Sequence, residues 1–151
     1  MRVYRLCRAK FTSLDGEGAR LYGGRWNSAG RSVVYASSTL ALAALESLVH
    51  FPPTLAPTDL VALTIEIPED LKQEEVATSR LPSDWYGRID STECRLLGDA
   101  WLTSAMCAVL RVPAAPVPQE NNYLINPLHL DASRIVVVAT QPFRFDPRLV
   151  K

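Results

Sequence analysis

Prolines at two places do most to limit how this chain can fold. Pro52 and Pro53 must end the helix that runs through Leu40, Leu42, Leu45, Leu48 and Val49, because neither can donate a backbone hydrogen bond, and Ser38 or Thr39 is the natural N-cap at its other end. Pro113, Pro116 and Pro118 turn the stretch that begins at Val112 into a rigid, extended connection that cannot occupy a central strand. Between these fixed points the apolar pattern predicts short strands at residues 3–6, 32–36, 60–67 and 107–112, with a short apolar piece at 123–125. The β-branched run at 135–139 predicts a strongly buried strand. A second helix is predicted over 91–104, where Leu96, Leu97, Ala100 and Trp101 recur at helical spacing. Two helices among non-local strands make an α+β pattern, a mixed sheet with flanking helices and no repeat.

The chain has 151 residues, enough for one domain with a real core and too few for two ordinary ones, so residues 1–151 are read as a single domain. Sixteen basic and sixteen acidic residues cancel, and no block of like charge occurs, which disfavours direct binding of nucleic acid. The first ten residues mix charges with apolar residues and lack the core of a secretion signal, and no run reaches the length of a membrane span. A cytoplasmic protein with no membrane association is expected. Cys7, Cys94 and Cys107 are widely spaced and odd in number, which fits reduced thiols better than disulfides or a zinc site.

Polar and aromatic residues interrupt this apolar pattern at Gly23, Gly24, Arg25, Trp26 and Asn27, then at Tyr35, then at Glu46. Arg25 offers a planar fork for phosphate or carboxylate, Tyr35 a ring for stacking, and Glu46 a carboxylate that stabilises positive charge developing on a sugar. Together they suit a nicotinamide nucleotide and chemistry at a glycosidic carbon. Each also has an ordinary structural reading. Glu46 could sit on the exposed edge of its helix, paired with His50 one turn on; Arg25 could cover a loop; Tyr35 could be half-buried packing; and Trp26 is commonly a packing anchor, although beside Arg25 it could wall a pocket.

A further polar cluster comprises Asn121, Asn122, Tyr123, Asn126, Pro127 and His129, and such asparagines usually serve as turn formers. His129 has no Ser or Cys nucleophile paired with it in sequence, and two distant histidines without suitable cysteine spacing predict no metal site.

These residues, in order, resemble the RES-domain toxins of bacterial toxin–antitoxin pairs. The matching segments are Gly24-Arg25-Trp26-Asn27 with Gly30, Val33-Val34-Tyr35-Ala36, and Glu46 with Leu48-Val49-His50. Later come residues 110–113, Asn122-Tyr123-Leu124-Ile125-Asn126-Pro127 with His129, and the ending Phe143-Arg144-Phe145-Asp146-Pro147-Arg148-Leu149. The resemblance implies a fold similar to the ADP-ribosyltransferase toxins and consumption of NAD by hydrolysis, phosphorolysis or ADP-ribosyl transfer. It implies Arg25 and Glu46 as the family's Arg and Glu, Tyr35 against nicotinamide, and Arg25, Trp26, Tyr35 and Asn126 as NAD-binding residues. It also implies an Xre-type antitoxin partner and two toxin copies in the complex. The family's Ser follows a Val-Pro step, where this chain has Ala114, through natural loss or as a deliberately weakened variant. A lost donor aimed at transition-state charge costs on the order of a hundredfold in rate, so Ala114 threatens activity more than fold. A catalytically silent fold that keeps antitoxin binding is therefore the alternative. An RNA-cleaving toxin is the least favoured reading, because neither a basic patch nor a paired acid and base is present.

Overall fold

The computed structural model describes residues 1–89 and 91–149. Its centre is a seven-stranded sheet built from β1 (Arg2–Arg8), β2 (Val34–Ser37), β3 (Leu60–Glu66), β4 (Gln73–Glu75), β5 (Val109–Pro113), β6 (Asn121–Ile125) and β7 (Val136–Pro142). Their order across the sheet is β4-β5-β6-β2-β1-β3-β7. Only β4 and β5 run parallel, and every other neighbouring pair is antiparallel, which makes the sheet mixed as expected.

Alternation along each strand sends side chains to two separate cores. Val34 and Ala36 of β2, Val109 of β5, and Tyr123 and Ile125 of β6 pack with Val3, Leu63, Ile65 and Ile67 on one face. Tyr35, Leu110, Val112 and Leu124 go to the opposite face, where Trp26, Trp85 and Trp101 gather. Inner strands buried on both faces carry nearly continuous apolar runs, which is why these segments were legible as strands.

Two strand expectations are corrected. The run predicted as a buried strand at 135–139 is the edge strand β7: Ile135 is buried just before it, whereas Val136 and Val138 are 47% and 48% exposed. A register shift against β3 leaves Val138 between the Val137 and Ala139 pairs, a bulge of the kind that sheet edges accommodate. Pro113 ends the inner strand β5 instead of lying in the connection. It is tolerated there because β4 pairs only with Val109, Leu110 and Arg111, so no strand on that side needs an N–H from Pro113. Two elements were not anticipated: the three-residue polar strand β4, and a helix α1 (Glu17–Tyr22) whose Gly18 weakens its helical signature.

The remaining helices are α2 (Leu40–Leu48) and α3 (Thr92–Ser104). In α3, Cys94, Gly98 and Trp101 share one buried stripe. Gly98 lies so close to the loop before β2 that a Cβ there would sit 1.7 Å from the Trp26 carbonyl oxygen. Asp99 then fastens the loop by accepting from the Ser28 amide at 3.0 Å and the Ser28 hydroxyl at 2.6 Å, and its own carbonyl accepts from Arg31 at 2.7 Å. Within the loop the fully buried Asn27 directs its amide nitrogen to the carbonyls of Ala19, Ser28 and Arg31.

Gly98→Ala is expected to cost more than about 3 kcal/mol in urea denaturation, because backbone rather than a flexible side chain must give way. Gly18→Ala, whose new Cβ meets nothing within 4 Å, should be neutral or stabilising by about 0.5–1 kcal/mol in the same assay.

Candidate active site

One broad cleft, with a volume of about 1180 Å³, opens where α2, the loop before β2 and the segment leading into α3 meet. Each wall is fixed by local structure. Thr39 caps α2 by accepting from the Leu42 amide at 3.1 Å, and the helix ends at Leu48, just ahead of Pro52 and Pro53. Leu42 and Ala43 anchor its buried face, and Glu46 follows them by four and three residues, so it falls on the same side one turn later. The exposed-edge reading of Glu46 is thereby replaced by a partly buried carboxylate that lines the cleft.

Glu46 Oε1 accepts a hydrogen bond from Asn122 Nδ2 at 2.5 Å. Burial raises the Glu46 carboxyl above its usual range, while the Asn122 donor and the positive charges of His50 and Arg25 pull in the opposite direction. Glu46 is the one acidic residue among the described residues that line the cleft.

Arg25 reaches the cleft from the loop. Its Nη1 donates to the Trp85 carbonyl at 3.1 Å and its Nη2 to the Arg88 carbonyl at 3.0 Å, with the guanidinium 6.0 Å from the centre of the Trp85 ring. Carbonyl acceptors orient the fork without cancelling its charge, so it remains suited to an anion.

Tyr35 forms a wall rather than a reactive group. Its hydroxyl donates to Asn27 Oδ1 at 2.6 Å and accepts from the Trp26 amide at 3.1 Å, and burial pushes the phenol far above its ordinary range. A Cβ on Gly24 would come within 2.6 Å of that hydroxyl, which explains the glycine. What Tyr35 offers a ligand is its ring.

Among the residues singled out from sequence, the cleft therefore brings together Arg25, Trp26, Tyr35 and Glu46, with His50 at its exposed rim. Trp26 is only 2% exposed and packs against Trp85 with ring centres 6.2 Å apart, so packing is its main work. Ala114 is fully buried and donates its amide to the Glu120 carbonyl at 2.9 Å, while the adjoining Ala115 and Pro116 line the cleft. Asn126 stands apart in the turn after β6, where its side chain accepts from the Leu128 amide at 3.0 Å. His129 likewise caps a turn, its Nδ1 accepting from the Asp131 amide at 3.0 Å. Sequence reasoning passed over Arg5 of β1, Ser37 of β2 and the cleft position of Asn122. The available signal for Asn122 was a polar residue opening a run that is otherwise buried.

Comparison with known proteins agrees with this architecture. The profile of the RES domain matches residues 2–146. The chain is 40% identical to Toxin Res of Photorhabdus laumondii, covering 100% of this chain and 98% of that protein. It is 39% identical to the Prs ADP-ribosylating toxin of Sphingobium sp. (strain YBL2), covering 91% and 87% respectively. Its fold matches a chain in the crystal structure of the M. tuberculosis MbcT–MbcA toxin–antitoxin complex with a TM-score of 0.76 and 19% identity, over 95% of this chain and 84% of that one.

The raised Glu46 carboxyl has a direct consequence for stability. The native state holds the proton more tightly than the unfolded chain, so the stabilisation from protonated Glu46 is complete below the unfolded value of about 4.3 and is lost as pH rises through the folded value. Glu46→Gln should therefore leave the melting temperature at neutral pH unchanged or raise it. That advantage should shrink as the pH falls toward about 4 in thermal melts.

Proposed function

The chain belongs to the RES-domain family, and on that premise we propose that it is a toxin that cleaves the bond between nicotinamide and ribose in NAD. The products are free nicotinamide and ADP-ribose joined to an acceptor, with the acceptor's proton released. A relative sharing 39% identity is named for ADP-ribosylation, which supports NAD as substrate. The observation that carries the proposal is Glu46, the one carboxylate among the described residues of a cleft that also holds Arg5, Arg25 and the Tyr35 ring.

That composition fits the chemistry of the substrate. Ordinary glycosidases need two carboxylates, one of them to protonate the leaving group, whereas nicotinamide leaves from a cationic ring and needs no proton. Glu46 then stabilises positive charge on the ribose and orients the acceptor, in a partly dry setting that strengthens the interaction. Arg25, aimed by two carbonyls, and Arg5 hold the pyrophosphate, and Tyr35 walls the nicotinamide. The cleft exceeds the roughly 300–1,000 Å³ typical of small-molecule pockets, leaving room for a dinucleotide.

An antitoxin of Xre type, with two toxin copies in the complex, is the partner this reading calls for, and the structural likeness to a chain of a toxin–antitoxin complex supports a protein partner. Ala114 favours a second reading, a silent fold that retains partner binding.

Nicotinamide release by the purified chain, its Ala114→Ser variant and its Glu46→Gln variant, with and without inorganic phosphate, separates the two. Release that is increased by Ala114→Ser on the order of a hundredfold and abolished by Glu46→Gln supports the enzyme reading. Absence of release from all three proteins, together with no rise in melting temperature on adding NAD, overturns it in favour of the silent partner-binding fold.

A further inference from the structure

β2 and β6 are matched by four residue pairs, and three of them are apolar or aromatic: Val34 with Ile125, Tyr35 with Leu124, and Ala36 with Tyr123. The fourth, Ser37 with Asn122, is polar on both strands although both residues are buried. Backbone pairing does not require this, and burying a hydroxyl and an amide costs free energy unless both are hydrogen-bonded. Their bonds run in one direction. The Ser37 hydroxyl donates to Asn122 Oδ1 at 2.8 Å, and Asn122 Nδ2 donates to Glu46 Oε1. A reversed Asn122 amide would set its oxygen against the carboxylate, two acceptors facing each other, and Ser37 acting as donor reinforces the observed orientation. Among the described residues Glu46 Oε2 has no hydrogen-bond partner, so the pair engages one carboxylate oxygen and leaves the other uncommitted.

We propose that Ser37 and Asn122 are positioning residues for the cleft's chemistry, a two-member relay that holds Glu46 by one oxygen and presents the other to the reacting sugar. The inference rests on the reading of Glu46 as the reacting carboxylate. Residues directly opposite on paired strands share a face, so β2 supplies the hydroxyl and β6 the amide at the end of the ladder nearest α2. The other groups acting on Glu46 are different in kind. His50 just past the end of its helix and Arg25 of the loop contribute charge, Arg5 of β1 and Arg95 of α3 line the same cleft, and Tyr4 of β1 and Tyr35 of β2 wall it. Charge from several directions favours the ionised form without choosing an orientation; a short directional hydrogen bond does both.

The test is carbon-13 NMR titration of the Glu46 carboxyl in the full chain, assigned by its loss in Glu46→Gln, alongside steady-state nicotinamide release. Asn122→Ala should raise the Glu46 midpoint by about one pH unit, since the donor to the charged form is gone. Asn122→Asp, nearly identical in shape, should raise it further, because two adjacent carboxylates then share one proton, and it decides the matter if Asn122→Ala does not fold. Ser37→Ala should give a smaller upward shift that disappears when Asn122 is already alanine, the signature of action through Asn122. In the enzyme, kcat for NAD cleavage should fall on the order of ten- to a hundredfold with KM nearly constant, and the acid limb of the pH profile should move up with the titration. An unmoved Glu46 midpoint in the folded Asn122 variants overturns the proposal, as does a moved midpoint with an unchanged kcat. If neither the parent chain nor its Ala114→Ser variant releases nicotinamide and NAD raises the melting temperature of neither, the enzyme reading fails instead, and the titration still reports whether the relay holds Glu46.

Discussion

The cleft face of this domain depends on a missing methyl group. Only because residue 98 has no side chain can α3 press against the backbone at Trp26, and that contact seats the loop from which Arg25 projects. Asp99, the next residue along the helix, grips Ser28 and Arg31, so one turn of α3 controls both ends of the loop. Asn27 completes the arrangement from inside. Its amide gathers three carbonyls while its oxygen receives the Tyr35 hydroxyl, which couples loop position to strand β2. A loop held in this way presents the Arg25 fork already aimed, and little ordering entropy remains to oppose ligand binding.

The same economy governs the electrostatics of the cleft. Its Arg25 fork is oriented by backbone carbonyls, and Glu46, the one carboxylate among the described lining residues, is held by a neutral amide. Neither arrangement neutralises the charge it positions. A carboxylate paired directly with an arginine would be ionised more firmly, but part of its field would already be spent on that partner. Neutral partners leave the charges of Glu46 and Arg25 uncancelled, and burial, only partly offset by the Asn122 donor, raises the Glu46 carboxyl.

Much of this was legible in the sequence, for reasons that differ by residue. The inner strands β2 and β5 could be read because burial on both faces demands apolar runs, and α2 because Thr39 and the two prolines mark its ends. The same rule misled at β7, where an equally apolar run lies at the sheet edge; local pattern does not report a strand's place in the order. The joining of Arg25, Tyr35 and Glu46 in one cleft was anticipated from residue chemistry and family resemblance. The part played by Asn122 was not: its place at the head of a buried run hints at burial, but its bond to Glu46 spans 76 positions and cannot be read locally. Asn126 shows the converse: an asparagine expected at the site is occupied in an Asx-type turn.

The strand order also bears on how the protein comes into being. β6 is made late in synthesis yet lies between β5 and β2, near the middle of the finished sheet. A growing chain that has completed β1, β2 and β3 already carries Arg25, Tyr35 and Glu46 but lacks the strand that supplies Asn122 and covers the open edge of β2. Long-range pairing of this kind is slow and is completed only after the distant segment arrives. Translation thus sets a delay between exposure of the cleft's first residues and completion of the cleft, an interval in which Glu46 exists without the strand that holds it.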